Sequence, residues 1–434
     1  MITSAIGKKF LTAYNNQNQS NLSAKDFFEK LYVPLFFDRP KYMMTGGNSP
    51  LENPKIQWKK GLYPSDQERK ERIKKTIAKI ESSEPDASIA IGFPSLDYSA
   101  TTSGQITNIK LPLKKDDIYL SWIGAGLGVG VEGGMAILFD NTEILMSIFE
   151  GWQLYRGLLD GIEKLSGNQI TTWNGQWLAH RYNDIAYYRE EPMANFNPLE
   201  SSKEEGLRIP TQNWVRILIG IAKKMQNPQM VGYVYNLGQT NTTIGFIPFI
   251  LPKIRKPIEL YKKIFGDNEY LQKHNKIEEL FGSAFGFTRA CQKGAIGIEA
   301  MEPKGLREMI IEAKYPNYKI ADDDKIITYN TYQIWILAML NNEQLWDSAR
   351  SVAEAFHNYA KGAEKAKKDR SNNVKAALDS TNKKQFIENL ISVVQEAENK
   401  SLFEEIAKNI NSMPLDNVPY FLTLIRFQYT VINN

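Results

Sequence analysis

Apolar positions recur at helical spacing near the N-terminus in AKDFFEKLYVPLFF, where Phe27, Phe28, Leu31 and Tyr32 share one face and Ser23 stands at an N-cap position. The pattern then breaks. Residues 41–66, KYMMTGGNSPLENPKIQWKKGLYPSD, are dense in Gly, Pro and Asn and predict a long loop with at most one short strand. The charged stretch that follows, DQERKERIKKTIAKIESSE, places Ile73, Ile77 and Ile80 in a narrow stripe and predicts a surface helix capped by Ser65. Between 86 and 140 the pattern changes to apolar runs punctuated by turns. ASIAIGFP, GQITNIKLPL and DIYLSWIGAGLGVGVEGGMAILFD read there as strands.

Residues 141–165 return to helical periodicity with Asn141 as the cap, followed by an aromatic and polar stretch holding Trp173, Trp177, His180, Arg181, Tyr182, Tyr187 and Tyr188. QNWVRILIGIAKKM predicts a helix, and MVGYVYNLG and TTIGFIPFIL predict a hairpin turning through GQTN. Residues 257–282 read as helix, 284–315 as helix, loop and helix, and the chain from Tyr329 onward as helical almost throughout. The expected fold class is α+β. A mixed α/β body with antiparallel strands and long loops over residues 1–328 precedes an all-α C-terminal helical bundle over 329–434, with no internal repeat.

The 434 residues are 42% apolar and 11% aromatic, enough to build a large core. A formal net charge of +4 is small, so a site for a polyanion must be a local patch. The single cysteine, Cys291, excludes an intramolecular disulfide and any thiolate cluster held by this chain alone. With no signal-like apolar segment at the N-terminus and no window near the roughly 20 apolar residues of a membrane span, a cytoplasmic protein without membrane contact is expected.

Motifs for chemistry are sparse. Gly128, Gly130 and Gly133 have the spacing of a dinucleotide fingerprint, but GMAILFD after them has the pattern of a strand, where that fingerprint needs a helix N-terminus facing the pyrophosphate. Glycines at alternate positions serve close backbone approach instead. His180, His274 and His357 stand far apart without a second ligand at metal-binding spacing, and Cys291 sits among small residues as a buried thiol would. Neither a nucleophile elbow nor a phosphate-cradling P-loop occurs. No cofactor and no metal are expected. The alternative is IIEAK, in which Glu312 would hold magnesium and Lys314 would orient water in a restriction-type endonuclease, with Glu299 or Glu302 completing the site. Good helix formers surround it, where such a site needs a β-branched strand.

Charge is more informative. Residues 41–80 hold ten Lys or Arg against four acids, residues 253–276 seven against three, and residues 361–384 eight against three. Clustered cations suit phosphates, because neutralising them releases condensed counterions. In the first run Lys55, Lys59 and Lys60 accompany Asn48, Asn53 and Trp58; the GQTN turn adds Gln239 and Asn241, amides able to bond base edges. In the last run Lys365, Lys367, Lys368 and Arg370 are the candidates for holding a strand.

This arrangement, with the C-terminal segment WDSARSVAEAFHNYAKGAEKAKKDRSNNVKAALDS, resembles the large subunit of type I CRISPR surveillance (Cascade) complexes. The resemblance implies a non-catalytic role in antiviral defence. The body would touch the guide RNA end and the short duplex motif flanking the target (the PAM), while the C-terminal bundle would hold DNA strands alongside other protein subunits. The paired Cys-x-x-Cys motifs of some branches are absent. A structural assembly subunit whose lysines merely solvate its surface is the remaining alternative.

Overall fold

The computed structural model describes residues 2–47, 49–52, 61–82, 114–202, 206–238, 243–315, 318–319, 321–361, 367–397 and 400–433, without the side chain of Lys367. The chain divides into two compact units, Met1–Leu251 and Pro252–Asn434. The first combines helices with a small antiparallel sheet and the second is helical, so the fold is α+β.

In the first unit, α1 (Ile2–Asn18) is followed by α2 (Ala24–Phe27), a π-helical turn Phe28–Tyr32, and α3 (Val33–Phe36). Ser23 caps α2 by accepting from the Asp26 amide at 3.0 Å while Asp26 reaches back to the Ser23 amide, a reciprocal capping box. The Tyr32 and Phe36 rings stack at 4.0 Å, and Phe36 meets Trp152 edge-on at 4.7 Å. This aromatic cluster is the heart of the unit's core. Helix α4 (Asp66–Ser82) buries Ile80 fully but Ile73 and Ile77 only in part, leaving a groove of about 480 Å³ against Val33 and Pro34.

The stretch 115–126 is a helix, α5 (Lys115–Gly126), where sequence pattern reads strand. Its first turn is set by Asp117, which accepts from the Lys114 amide at 2.9 Å. Because α5 is buried on nearly all sides it has no polar face, and an apolar run without periodicity does not distinguish helix from strand. The strands begin beyond it: β1 (Val129–Val131) and β2 (Met135–Phe139) form a hairpin. Next come α6 (Thr142–Gly161), capped by Asn141, α7 (Ile170–Arg181), and a two-stranded ribbon of β3 (Glu200–Ser202) and β4 (Gly206–Arg208). Helix α8 (Trp214–Lys224), capped by Asn213, leads to β5 (Met230–Asn236) and β6 (Thr243–Phe249). Strands β5 and β6 pair antiparallel as the hairpin reading expects, residues 239–242 of the segment connecting them lie outside the described residues, and the four-stranded sheet runs β1-β2-β5-β6. ASIAIGFP and GQITNIKLPL lie outside the described residues.

The second unit opens with α9 (Leu251–Phe265) and α10 (Asp267–Leu280), separated by Gly266 at φ +99°, a backbone conformation that interrupts the single helix read over 257–282. Short helices α11 (Phe287–Cys291) and α12 (Leu306–Ile311) precede α13 (Asp323–Leu340), α14 (Gln344–Lys361), α15 (Lys367–Leu378), α16 (Lys383–Glu396), α17 (Lys400–Ser412) and α18 (Val418–Asn433). Helix α18 packs on α13 and α14 at the centre. The boundary between the two compact units falls at residue 251, and described elements between 252 and 322 pack into this bundle. Helix α10 packs on α13, the Trp335 indole donates to the Ile298 carbonyl at 3.0 Å, and Lys256 and Lys263 both pair with Glu343.

Candidate nucleic-acid interface

Of the basic runs, 253–276 is fully described, and each of its seven cations has a partner. Lys253 pairs with Glu299 at 3.1 Å, Arg255 with Glu259 at 3.2 Å, and Lys273 with Glu269 at 2.8 Å. Lys276 pairs with Asp324, and Lys262 lies over the Tyr270 ring at 4.7 Å. Hydrogen bonds from Lys256 and Lys263 hold the Glu343 carboxyl down to about 2. Exposed pairs of this kind add little stability, but they cancel charge locally and leave no positive track along this run.

Several described cations of the first run are engaged as well. Lys41 is buried; its ammonium donates to the Ile162 and Glu163 carbonyls, each at 2.7 Å, beyond the end of α6, and burial pushes its pKa down. Lys70 and Lys75 pair with Asp66 and Glu71 one turn back, and Arg69 reaches Asp66 and Asp38. Asn48, Lys55, Lys59, Lys60, Gln239, Asn241, Lys365 and the Lys367 side chain lie outside the described residues.

The last run differs. Lys361 ends α14 and Lys368 begins α15; both are exposed, and neither makes an ion pair with a described residue. Arg370 does not share that freedom. Its side chain is 18% exposed, its guanidinium carbon sits 5.2 Å from the centre of the Tyr359 ring, and its Nε lies 3.7 Å from the Glu396 carboxylate. Farther along, Lys375 and Lys384 face Asp379 and Glu388, and Lys383 donates to the Asn411 and Met413 carbonyls at 2.6 and 2.9 Å. Spacing gave no sign that Arg370 would turn inward, since its aromatic and acidic partners come from α14 and α16.

The residues of the endonuclease alternative are arranged for other ends. Glu312 caps the C-terminus of α12, Ala313 takes a left-handed conformation at φ +51°, and Lys314 pairs with Glu308 at 2.9 Å and Glu312 at 3.1 Å. That is a helix end closed by a turn, with no strand to present the pair. Glu302 is buried and held in a two-pronged contact by Arg307, at 3.1 and 2.9 Å. Among the described residues no group of three His, Cys, Asp or Glu could hold a metal ion. After Gly128, Gly130 and Gly133 comes β2, so no helix N-terminus is offered to a pyrophosphate. Cys291 is buried, and burial pushes its thiol up to about 12, far from a reactive thiolate.

In the aromatic stretch after residue 168, Trp173, Trp177, His180 and Tyr182 are core, Tyr187 is half-buried and Tyr188 is exposed. Trp173 and Trp177 are parallel, 6.2 Å between centres, and their indoles donate to the Gly151 and Ser147 carbonyls at 3.0 and 2.7 Å. His180 stacks on Phe196 at 4.3 Å, and its Nε2 lies 3.0 Å from the Pro192 carbonyl, so Nε2 carries the proton of a neutral ring. Burial lowers its pKa below the usual 6.5. The unfolded chain then binds the proton more readily than the folded one, and the stability that neutral His180 contributes is present above pH 6.5 and lost as pH falls through the depressed value. Urea midpoints measured across that window are expected to fall with pH in the wild type and to fall less in His180→Gln. Equal slopes would exclude His180 as the source.

No described helix is long and apolar enough to cross a membrane. Compared with protein-family models, curated proteins and solved structures, the chain has no match in any of the three.

Proposed function

We propose that this chain is a non-catalytic, nucleic-acid-binding subunit of a CRISPR surveillance complex, standing where the type I systems place their large subunit. Carrying the reading is the pair Lys361 and Lys368: two exposed cations without a described carboxylate partner, whereas every cation of the run 253–276 has a partner. Lys365 and Lys367 add two more positive charges to the same stretch of sequence. Exposed lysines at adjoining helix ends that form no salt bridge with a described residue serve a phosphate backbone well.

On this reading the lysines of 361–368 hold a DNA strand by its phosphates. Lys55, Lys59 and Lys60 set register on the duplex flanking the target, and Asn48, Gln239 and Asn241 read a few base edges. Pairing with guide RNA supplies most of the sequence specificity, so the protein has nothing to cleave. Its partners are RNA, DNA and further subunits of the complex, and its place is the cytoplasm.

Two measurements test this. Natively purified assembly is expected to carry nucleic acid, seen as a 260-to-280 nm absorbance ratio that falls after nuclease treatment. Joint Lys365→Glu, Lys367→Glu and Lys368→Glu substitution is expected to weaken DNA binding and to flatten its dependence on salt by roughly 0.7–0.9 in log–log slope for each phosphate no longer neutralised. Binding that keeps the same slope in the triple variant overturns the assignment. Arg370 is left out of that set because its packing would confound the result.

A further inference from the structure

Resting on that reading, we infer that Arg370 is a positioning residue: with Tyr359 and Glu396 it clamps three helix ends so that Lys361 and Lys368 face one phosphate backbone together. Tyr359 lies in the last turn of α14, Arg370 in the first turn of α15 and Glu396 at the last residue of α16. The Tyr359 hydroxyl donates to Glu396 at 3.2 Å and accepts from the Asn373 amide at 3.4 Å, while its ring lies under the Arg370 guanidinium. Glu396 thus takes a hydrogen bond from one helix and a charge from another. Lys361 follows Tyr359 by two residues and Lys368 precedes Arg370 by two, so the clamp governs where both exposed cations stand. Helix ends held in place spare binding the entropy of ordering them, so two lysines on separate helices engage one strand more tightly when their spacing is fixed beforehand.

A residue that touches phosphate and one that only positions others leave different marks on binding. Removing a side chain that neutralises a phosphate lowers the salt slope, by roughly 0.7 for a single strand, whereas removing a positioning side chain lowers affinity at every salt concentration and leaves the slope alone. The full chain, titrated with a single-stranded DNA oligonucleotide across a salt series, separates them. Tyr359→Leu removes no charge, and Arg370→Gln removes one that faces inward. Both are expected to weaken binding by about threefold to thirtyfold, the range for removal of one partly buried cation–π interaction, with the wild-type slope retained.

Lys368→Gln, by contrast, is expected to reduce the slope. Thermal unfolding of each variant confirms that it is folded, and Tyr359→Leu stands alone as the test if Arg370→Gln is not. A reduced slope in Arg370→Gln makes Arg370 a direct phosphate ligand and overturns the inference. So does unchanged affinity in Tyr359→Leu, which leaves the cluster as packing alone. Failure of the wild-type chain and its assembly to bind DNA at all removes the proposed function, and the positioning role with it.

Discussion

Arg426→Met is expected to lower the stability of the C-terminal unit by about 3–5 kcal/mol, from stranding several buried acceptors at about 1–3 kcal/mol each. Arg426 lies in the middle of α18 with its side chain fully buried and no carboxylate of a described residue within hydrogen-bond reach. One guanidinium nitrogen donates to the Leu378 carbonyl at 2.8 Å and the Ser380 carbonyl at 3.1 Å; the other donates to the Met309 carbonyl at 2.9 Å and the Thr423 hydroxyl at 2.6 Å. Leu378 ends α15 and Met309 lies in the last turn of α12, where carbonyls have no partner within their own helix and the helix dipole is negative. The cation therefore closes two helix C-termini onto a third helix. Burial pulls its pKa down to about 10, with Tyr315 and Asp379 opposing, and it remains charged at neutral pH.

Replacing a buried ion pair by apolar groups is often harmless, because both partners leave together. Here the acceptors are backbone carbonyls, which no substitution removes, and each one stranded costs about 1–3 kcal/mol. Arg426→Lys is expected to recover only part of the stability, since one ammonium cannot span the acceptors that the forked guanidinium reaches. Hydrogen exchange in the full chain reads the effect by region: amide protection in α12, α15 and α18 should fall in Arg426→Met. Protection within about 1 kcal/mol of wild type, the worth of one ordinary hydrogen bond, would show that the carbonyls find other donors.

What the sequence made legible follows from where each signal is stored. Caps are local, so Ser23, Ser65 and Asn141 were readable three residues ahead of the amides or acids they meet. The hairpin of β5 and β6 was legible too, as two apolar runs around a polar turn. Helix α5 was not, because burial on every side erases the periodicity that identifies a helix. Charge misled for a related reason. Four of the seven cations of 253–276, Lys253, Lys256, Lys263 and Lys276, have no partner within the run, yet Glu299, Glu343 and Asp324 reach them from elements more than forty residues away. Arg370 failed as a surface prediction in the same way, since its partners belong to other helices. Of the candidate interface, the sequence pointed to the basic run 361–384, and only the fold separated exposed Lys361 and Lys368 from inward-turned Arg370.

Gly124→Val is expected to destabilise the first unit by about 3 kcal/mol, the upper end of the usual cost of overpacking. Gly124 of α5 and Gly7 of α1 lie where the two helices touch backbone to backbone: a Cβ at Gly124 would collide with the Thr3 carbonyl, and one at Gly7 with the Leu120 carbonyl. The same approach brings the Thr3 and Ser121 hydroxyls within 2.6 Å of each other. Because the obstacle is backbone, no rotamer change relieves the clash; the helices must separate, and the hydroxyl pair then loses its partner inside the core. Gly157 in α6 makes the control. A Cβ there meets nothing within 4 Å, so Gly157→Ala is expected to stabilise the unit by up to about 1 kcal/mol through helix propensity and a less flexible unfolded chain. Chemical denaturation of both variants should therefore move in opposite directions. If Gly124→Val melts like wild type while Gly157→Ala gains its increment, the α1–α5 packing is looser than the backbone distances require and the glycines are not what sets it.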